Sequence, residues 1–157
     1  MDVSIRLLEE KDAQKSYIWR NDSEVWKYTG SKPTQKITYE NEIEWIKKVL
    51  KREDEIRFAI CVGNESEYVG NVQLTNITNT DAEFHIFVGN KDFQNKGIGT
   101  KATNLILNYS KEVLKLKTVY LFVNQNNLAA TKAYKKCGFF EVEKNNDQLK
   151  LIINLNK

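Results

Sequence analysis

Val3, Ile5 and Leu7 alternate with Ser4 and Arg6, the two-residue period of a strand with one buried face. The period then lengthens, and a helix is expected from Glu10 to Arg20 with Ala13, Tyr17 and Trp19 turned inward. Asn21 to Lys36 breaks the pattern; Gly30, Ser31, Lys32 and Pro33 cluster there as turn formers, and the stretch reads as a loop inside one domain. Thr38 is a good N-cap, and Glu40 and Glu42 fall in a first turn, where the helix dipole favours anions. Tyr39, Ile43, Ile46 and Leu50 follow at helical spacing, so a helix spans Thr38 to Arg52.

The two-residue period returns in Phe58–Val62, Tyr68–Leu74 and Glu83–Val88. Turns at Gly63–Ser66 and Thr78–Asp81 separate these strands, which suits an antiparallel meander. A glycine-containing loop leads to a long helix whose apolar stripe is Ala102, Leu105, Ile106, Tyr109 and Val113. Thr118–Val123 reads as a strand and Leu128–Lys136 as a helix stopped by Gly138 in the C′ position. Phe139–Val142 and Leu149–Leu155 close the chain as strands. The order βααβββαβαββ predicts an α/β domain in which helices pack on a mixed sheet.

Composition narrows the field of functions. A chain of 157 residues is one domain by default, residues 1–157, and 41% hydrophobic with 29% charged residues is ordinary for a globular protein. A net charge of +3 is too small to argue for nucleic acid, and of the 24 cations only Arg6, Arg20, Arg52 and Arg57 carry the fork suited to bidentate contacts with bases or phosphates. The charged first residues do not resemble a secretory signal, and no stretch approaches the ~20 apolar residues of a membrane span, so neither a nucleic-acid nor a membrane partner is expected. Cys61 and Cys137 match no CxxC pattern and there is one histidine, so no metal site is expected; two reduced thiols suit the cytoplasm.

The first chemical signal is the run Phe87 to Thr100. A strand enters a loop whose amides sit at a helix start, where about half a positive charge gathers and where Gly97 and Gly99 let a ligand approach the main chain. Such a site suits a pyrophosphate. The Walker pattern is absent. Gly97, Gly99 and Ala102 match the dinucleotide fingerprint, but no acidic residue for a ribose lies in Val119 to Asn127, and the first glycine comes nine residues after Val88.

The remaining pattern, Gln94-x-x-Gly97-x-Gly99, resembles the pyrophosphate loop of the GNAT acetyltransferases. Asn124-x2-Asn127-x2-Ala130-x3-Tyr134-x-Lys136-x-Gly138-Phe139 resembles the second block of the same family, one helix and one strand downstream. The resemblance implies a GNAT fold: a mixed, mostly antiparallel sheet with helices on both faces. It also implies acetyl-CoA as co-substrate, without a metal, for transfer of an acetyl group to a primary amine. The loop Gln94, Asn95, Lys96, Gly97, Ile98, Gly99 and Thr100 would hold the diphosphate, and main-chain groups of Phe87 and Val88 the pantetheine arm. Asn127 is well placed as an N-cap whose amide could also reach that arm, and Tyr134, two turns on, shares its face. The resemblance makes Tyr134 the acid for the leaving sulfur and lets Lys136 meet a phosphate. Glu83, with His85 second, alternates onto one face of the fourth strand as the candidate base.

The acceptor side is expected from the first helices and their loop: Arg20, Glu24, Trp26 and Tyr28, since aromatics beside carboxylates suit a cationic or sugar-borne amine. The segment Trp19-Arg20-Asn21 is similar to that of the GNAT branch holding ribosomal-protein N-terminal acetylases and nucleotide-amino-sugar N-acetyltransferases. The signature tail of spermidine acetylases is not visible after Phe139. An amino-sugar nucleotide or other small amine is the first expectation for the acceptor, a peptide N-terminus the alternative. A non-catalytic acyl-CoA-binding domain, and a monomer or homodimer, stay open.

Overall fold

The computed structural model describes residues 1–29 and 33–156, the side chains of 27–29 apart. The alternating segments pair into one seven-stranded sheet ordered β1-β2-β3-β4-β5-β7-β6. The strands are β1 (Val3–Leu7), β2 (Ile56–Val62), β3 (Glu67–Thr75), β4 (Asp81–Val88), β5 (Thr118–Asn124), β6 (Phe140–Asn145) and β7 (Gln148–Asn154). Every neighbouring pair is antiparallel except β4 and β5, which run parallel.

Alternation assigns the two faces. Phe58, Ile60, Val72, Leu74, Ala82 and Phe84 bury one face under α4 (Ile98–Glu112) and α5 (Leu128–Lys136). Ala59, Cys61, Tyr68 and Phe87 face the other way, under α1 (Ala13–Arg20), α2 (Ser23–Thr29) and α3 (Tyr39–Leu50). The mixed, mostly antiparallel sheet with helices on both faces is therefore found. Thr38 caps α3 as expected, its side chain accepting from the Asn41 amide, and Gly138 follows α5 at φ 111°. No helix among the described residues is long and apolar enough to cross a membrane.

Three local readings need correction. The stretch from Asn21 contains a third helix, α2, so the order gains an element; Asp22 caps it by accepting from the Glu24 amide at 2.9 Å, and Val25 anchors it in the core. The turn-forming residues 30–32 that suggested a loop lie outside the described residues. Leu105 in α4 and Val113 just past its end are exposed, and the buried face of the helix instead carries Thr103, Leu107 and Ser110 beside Ala102 and Ile106. The Thr103 and Ser110 hydroxyls donate to the carbonyls four residues back at 2.7 Å, so two polar residues are buried at no cost in lost hydrogen bonds, and a stripe drawn through apolar residues alone is rotated. Leu50 is likewise exposed while Val49 takes the core position.

The parallel pair sets up the site. β4 and β5 are in register only at Asp81↔Thr118, Ala82↔Val119 and Glu83↔Tyr120. Beyond that point β4 stays with β3 as far as Gly70↔Val88, and β5 stays with β7 as far as Asn124↔Gln148. Each strand is held by its outer neighbour while the inner seam opens into a wedge.

Two glycines fix the open end of β4. A Cβ at Gly70 would lie 2.3 Å from the Phe87 carbonyl oxygen, and one at Gly89 would strike the Trp19 ring at 2.2 Å. Trp19 thus lies against bare backbone, edge-on to Phe87 with centroids 6.2 Å apart. Gly70→Ala forces backbone to yield and should cost ~1–3 kcal/mol, as overpacking does. At about 2–4 °C per kcal/mol for a chain of this size, a thermal melt reads the loss directly, and an unchanged Tm would show that β4 can give way at Phe87.

Candidate active site

The wedge is a cavity of about 800 Å³. Phe84, His85, Ile86 and Phe87 line it from β4; Leu121, Phe122, Val123 and Asn124 line it from β5; Asn127 and Tyr134 reach it from α5. Because the seam is open, groups from both faces of the sheet meet in one space. The edge of β4 that turns toward β5 has no strand partner past Glu83, so main-chain groups of Ile86 and Val88, on either side of Phe87, are left for another extended chain to pair with, while the Phe87 carbonyl faces Gly70 of β3. At Val88 the carbonyl is already taken: Gln94 Nε2 donates to it at 2.9 Å.

That bond shapes the loop. Gln94 is turned back onto the end of β4 and braces it instead of projecting its side chain outward. Asn95 (φ 60°) and Gly97 (φ 78°) then adopt left-handed conformations, which asparagine and glycine tolerate best, and Gly97 becomes the N-cap of α4. The amides of Ile98, Gly99 and Thr100 open the helix without intrahelical acceptors, at its positive end. No atom lies within 4 Å of a Cβ built at Gly97 or Gly99, so the surface over these amides is open. Ile98 is buried and pins the turn to the core, while Lys96 is exposed with Nζ 5.9 Å from the Phe93 ring centroid. An exposed run of amides at a helix start, walled by glycine, fits a diphosphate.

Asn127 begins α5 as expected, its Oδ1 accepting from the Ala130 amide at 3.3 Å. Tyr134 follows two turns later and shares the cavity with it. The Tyr134 ring is edge-on to Phe84 and Phe139, at 5.9 and 6.0 Å. Burial, reinforced by the nearby Cys137 thiol, pushes its hydroxyl up to about 12, so it keeps its proton at any physiological pH. The end of α5 abuts the start of α4, with Cys137 Sγ 4.0 Å from the Thr100 carbonyl, while Lys136 is exposed in the last turn.

On the opposite face of β4, Glu83 and His85 are neighbours, as the alternation requires. His85 Nε2 lies 3.1 Å from Glu83 Oε2 and 3.1 Å from Thr75 Oγ1. Asn76 donates to the other Glu83 oxygen at 3.2 Å. Only His85 reaches the cavity; Glu83 stands behind it. Burial lowers the His85 pKa, against an upward pull from Glu83, so the imidazole is neutral near pH 7. Donation from Nε2 to the carboxylate leaves the lone pair on Nδ1.

The acceptor-side expectations divide. Arg20 and Trp26 line the cavity, Glu24 is exposed on α2 and does not, and the Tyr28 side chain lies outside the described residues. Glu24 sits on the outer side of a helix whose inward position is Val25, which the loop reading did not allow for. Trp45, Arg57, Gln73 and Thr75 complete this side and were not anticipated. The one signal for Arg57 was a charged residue at a position alternating with buried Phe58 and in phase with Ala59 and Cys61.

The sequence profile of the acetyltransferase (GNAT) domain matches residues 2–140. The spermidine N(1)-acetyltransferase of Escherichia coli K12 is 29% identical over 138 residues, 87% of this chain and 72% of that protein. The acetyltransferase PseH of Campylobacter jejuni is 24% identical over 140 residues, 89% of this chain and 84% of that protein. The crystal structure of the Vibrio cholerae spermidine N-acetyltransferase in complex with CoA and spermine superposes with a TM-score of 0.88 at 26% identity, covering 99% of this chain and 96% of that one.

The Glu83–His85 contact can be tested on its own. His85 is the chain's single histidine, so its NMR titration is unambiguous. Removing the carboxylate in Glu83→Gln takes away the larger of the two upward pulls on the ring and leaves burial and Arg57, which disfavour the imidazolium, against Glu55 alone, so the His85 pKa should fall further. A value that stays or rises would dissolve the pairing.

Proposed function

The chain belongs to the acetyltransferase (GNAT) domain family and is an acetyl-CoA-dependent N-acetyltransferase; from that premise we propose that its acceptor is the primary amine of an amino-sugar nucleotide or a related small molecule. The observation that carries the reading is the open β4–β5 seam, through which Tyr134 and His85, from opposite faces of the sheet, share one cavity.

Acetyl-CoA supplies the acyl group, activated as a thioester. The amides of residues 94–100 and the glycine-walled helix start bind its diphosphate, with the Gln94 side chain bracing the turn and Lys96 and Lys136 adding positive charge at the surface. The unpaired edge of β4 beside Phe87, where the Val88 amide and the Ile86 main-chain groups face the seam, takes the extended arm by strand-like hydrogen bonds, with Asn127 across the wedge. His85 Nδ1 accepts a proton from the attacking amine, and Glu83 behind it stabilises the imidazolium so formed. Tyr134 Oη holds the proton that the departing sulfur needs. A phenol at about 12 is a weak acid against a thiol near ~8.5, but a thiolate leaving into the same partly buried cavity is disfavoured too, and the gap narrows. Cys61 and Cys137 are both free thiols, which fits a reducing compartment such as the cytoplasm.

Release of free CoA, followed colorimetrically over amino-sugar nucleotides, peptides, polyamines and aminoglycosides, tests the reading: the nucleotide sugars should turn over fastest. Binding of acetyl-CoA without release on any amine would instead mark a non-catalytic acyl-CoA-binding domain. Tyr134→Phe should lower kcat by ~10²–10⁴ with little change in acetyl-CoA affinity, since a general acid acts only in the reaction. An undiminished kcat would transfer the proton to another donor.

A further inference from the structure

Two guanidinium groups and no carboxylate line the acceptor side of the cavity among the described residues. Arg20 comes from α1 and Arg57 from β2, and both lie over the indole of Trp45, with Cζ 4.5 and 5.0 Å from the ring centroid. Only four of the chain's 24 cations are arginines, and two of the four meet here. Their counter-charges stand behind them. Glu42, 1% exposed, accepts from Arg20 Nη1 at 2.6 Å, and Ser16 holds its other oxygen. Glu55 accepts from Nε and Nη2 of Arg57 at 3.1 and 2.8 Å. Each carboxylate fixes one edge of its guanidinium and leaves the rest of a five-donor fork unspent: Nε and Nη2 of Arg20, and Nη1 of Arg57. Glu42 balances Arg20, whereas Glu55 is shared between Arg57 and Arg52, so the two guanidiniums keep donors to spare and a net positive charge remains on this side.

The register sets the reach. Arg57 is opposite Gln73, and Gln73 is opposite His85, so the three stand in one row across the cavity face. At the ~4.8 Å spacing of adjacent strands, Arg57 and His85 are about 10 Å apart along the sheet.

We propose that Arg20 and Arg57, on the Trp45 platform, form a phosphate subsite for the acceptor, which holds its amine at His85 and its phosphate at the far end of the row. The proposal rests on the acetyltransferase reading and deepens it by naming which amines are admitted. A phosphate-bearing amino sugar meets forks that match its oxygens. A polyamine, for all that spermidine acetyltransferases are among the chain's relatives, brings further ammonium groups to a wall with two guanidiniums and no carboxylate.

Calorimetric titration of the protein saturated with CoA, so that the diphosphate site at α4 is filled, tests this with UDP, uridine and spermidine as probes. UDP should bind and uridine only much more weakly. Arg57→Gln should weaken UDP about 10- to 100-fold, the loss of a charge-assisted contact, with CoA affinity unchanged. Glu55 keeps Arg52 at 3.0 Å in that variant, so no buried carboxylate is stranded. Arg20→Lys is the second variant: it keeps a cation beside Glu42 but loses the fork, and should weaken UDP in the same direction. UDP and uridine binding alike, either variant binding UDP as the wild type does, or spermidine binding in preference to UDP would overturn the subsite. Failure of the acetyltransferase reading would show separately, as an absence of CoA binding or of CoA release.

Discussion

Three residue pairs between β4 and β5 hold the middle of the sheet together, and the parting of those strands after Glu83↔Tyr120 is the constraint on which the rest depends. Hydrogen bonds lost along an inner seam are costly unless something replaces them, because buried amides and carbonyls must be satisfied. The protein meets that demand from outside: β3 and β7 grip the diverging strands over their whole length, and the exposed inner edges face a cavity that water or a ligand can fill. A second extended chain with its own amides, such as a pantetheine arm, is the natural partner for such an edge. Gly70 and Gly89 serve the same end, since they let the Phe87 carbonyl and the Trp19 ring close on backbone and hold the tip of β4 in place.

The helices that cover the acceptor side are tied to the sheet and to the cofactor loop by charge as well as by packing. Glu42 on α3 draws in Arg20 and Ser16 from α1, a carboxylate whose burial is tolerable only because both oxygens are occupied. Asp22 caps α2 and also pairs with Lys91 at 2.9 Å, in the short turn that leads into the α4 loop. This second pair is largely solvated and adds little to stability. Its role is geometric: α2, which lines the cavity, and the turn leading into the α4 loop share a fixed point.

What could be read from the sequence followed the range of the interactions involved. The α4 loop and the α5 block were legible because their chemistry is local: Gly97 caps a helix at positive φ, Asn127 caps the next, and Tyr134 follows at two turns. The Glu83–His85 contact was legible as alternation on one strand. Arg57 and Trp45 were not: a charge in phase with Ala59 and Cys61 gives Arg57 no partner, and nothing near Trp45 in the chain marks it; the row Arg57–Gln73–His85 exists only through two strand registers, and Trp45 joins it from α3. The α2 helix was hidden by the turn formers that follow it, and the buried face of α4 by two hydroxyl residues whose hydrogen bonds stay within the helix.

The two candidate proton carriers also differ in a way that suits one direction of flow. Burial acts on both, and it favours the neutral form of each: it raises the phenol of Tyr134, which holds its proton, and lowers the imidazole of His85, which lacks one. In the proposed reaction the resting site thus holds one proton to give and one vacancy to fill, with both groups uncharged. Glu83, whose carboxylate meets the ring at Nε2 and does not line the cavity, would gain attraction only when the imidazolium appears. Tyr134 has no such partner cation, so a lasting tyrosinate is disfavoured and the phenol must recover its proton once the product amide has formed. In the proposed reaction the amine's proton passes to His85 across the same open seam and is the one left over, and returning it through the cavity restores both groups to neutrality.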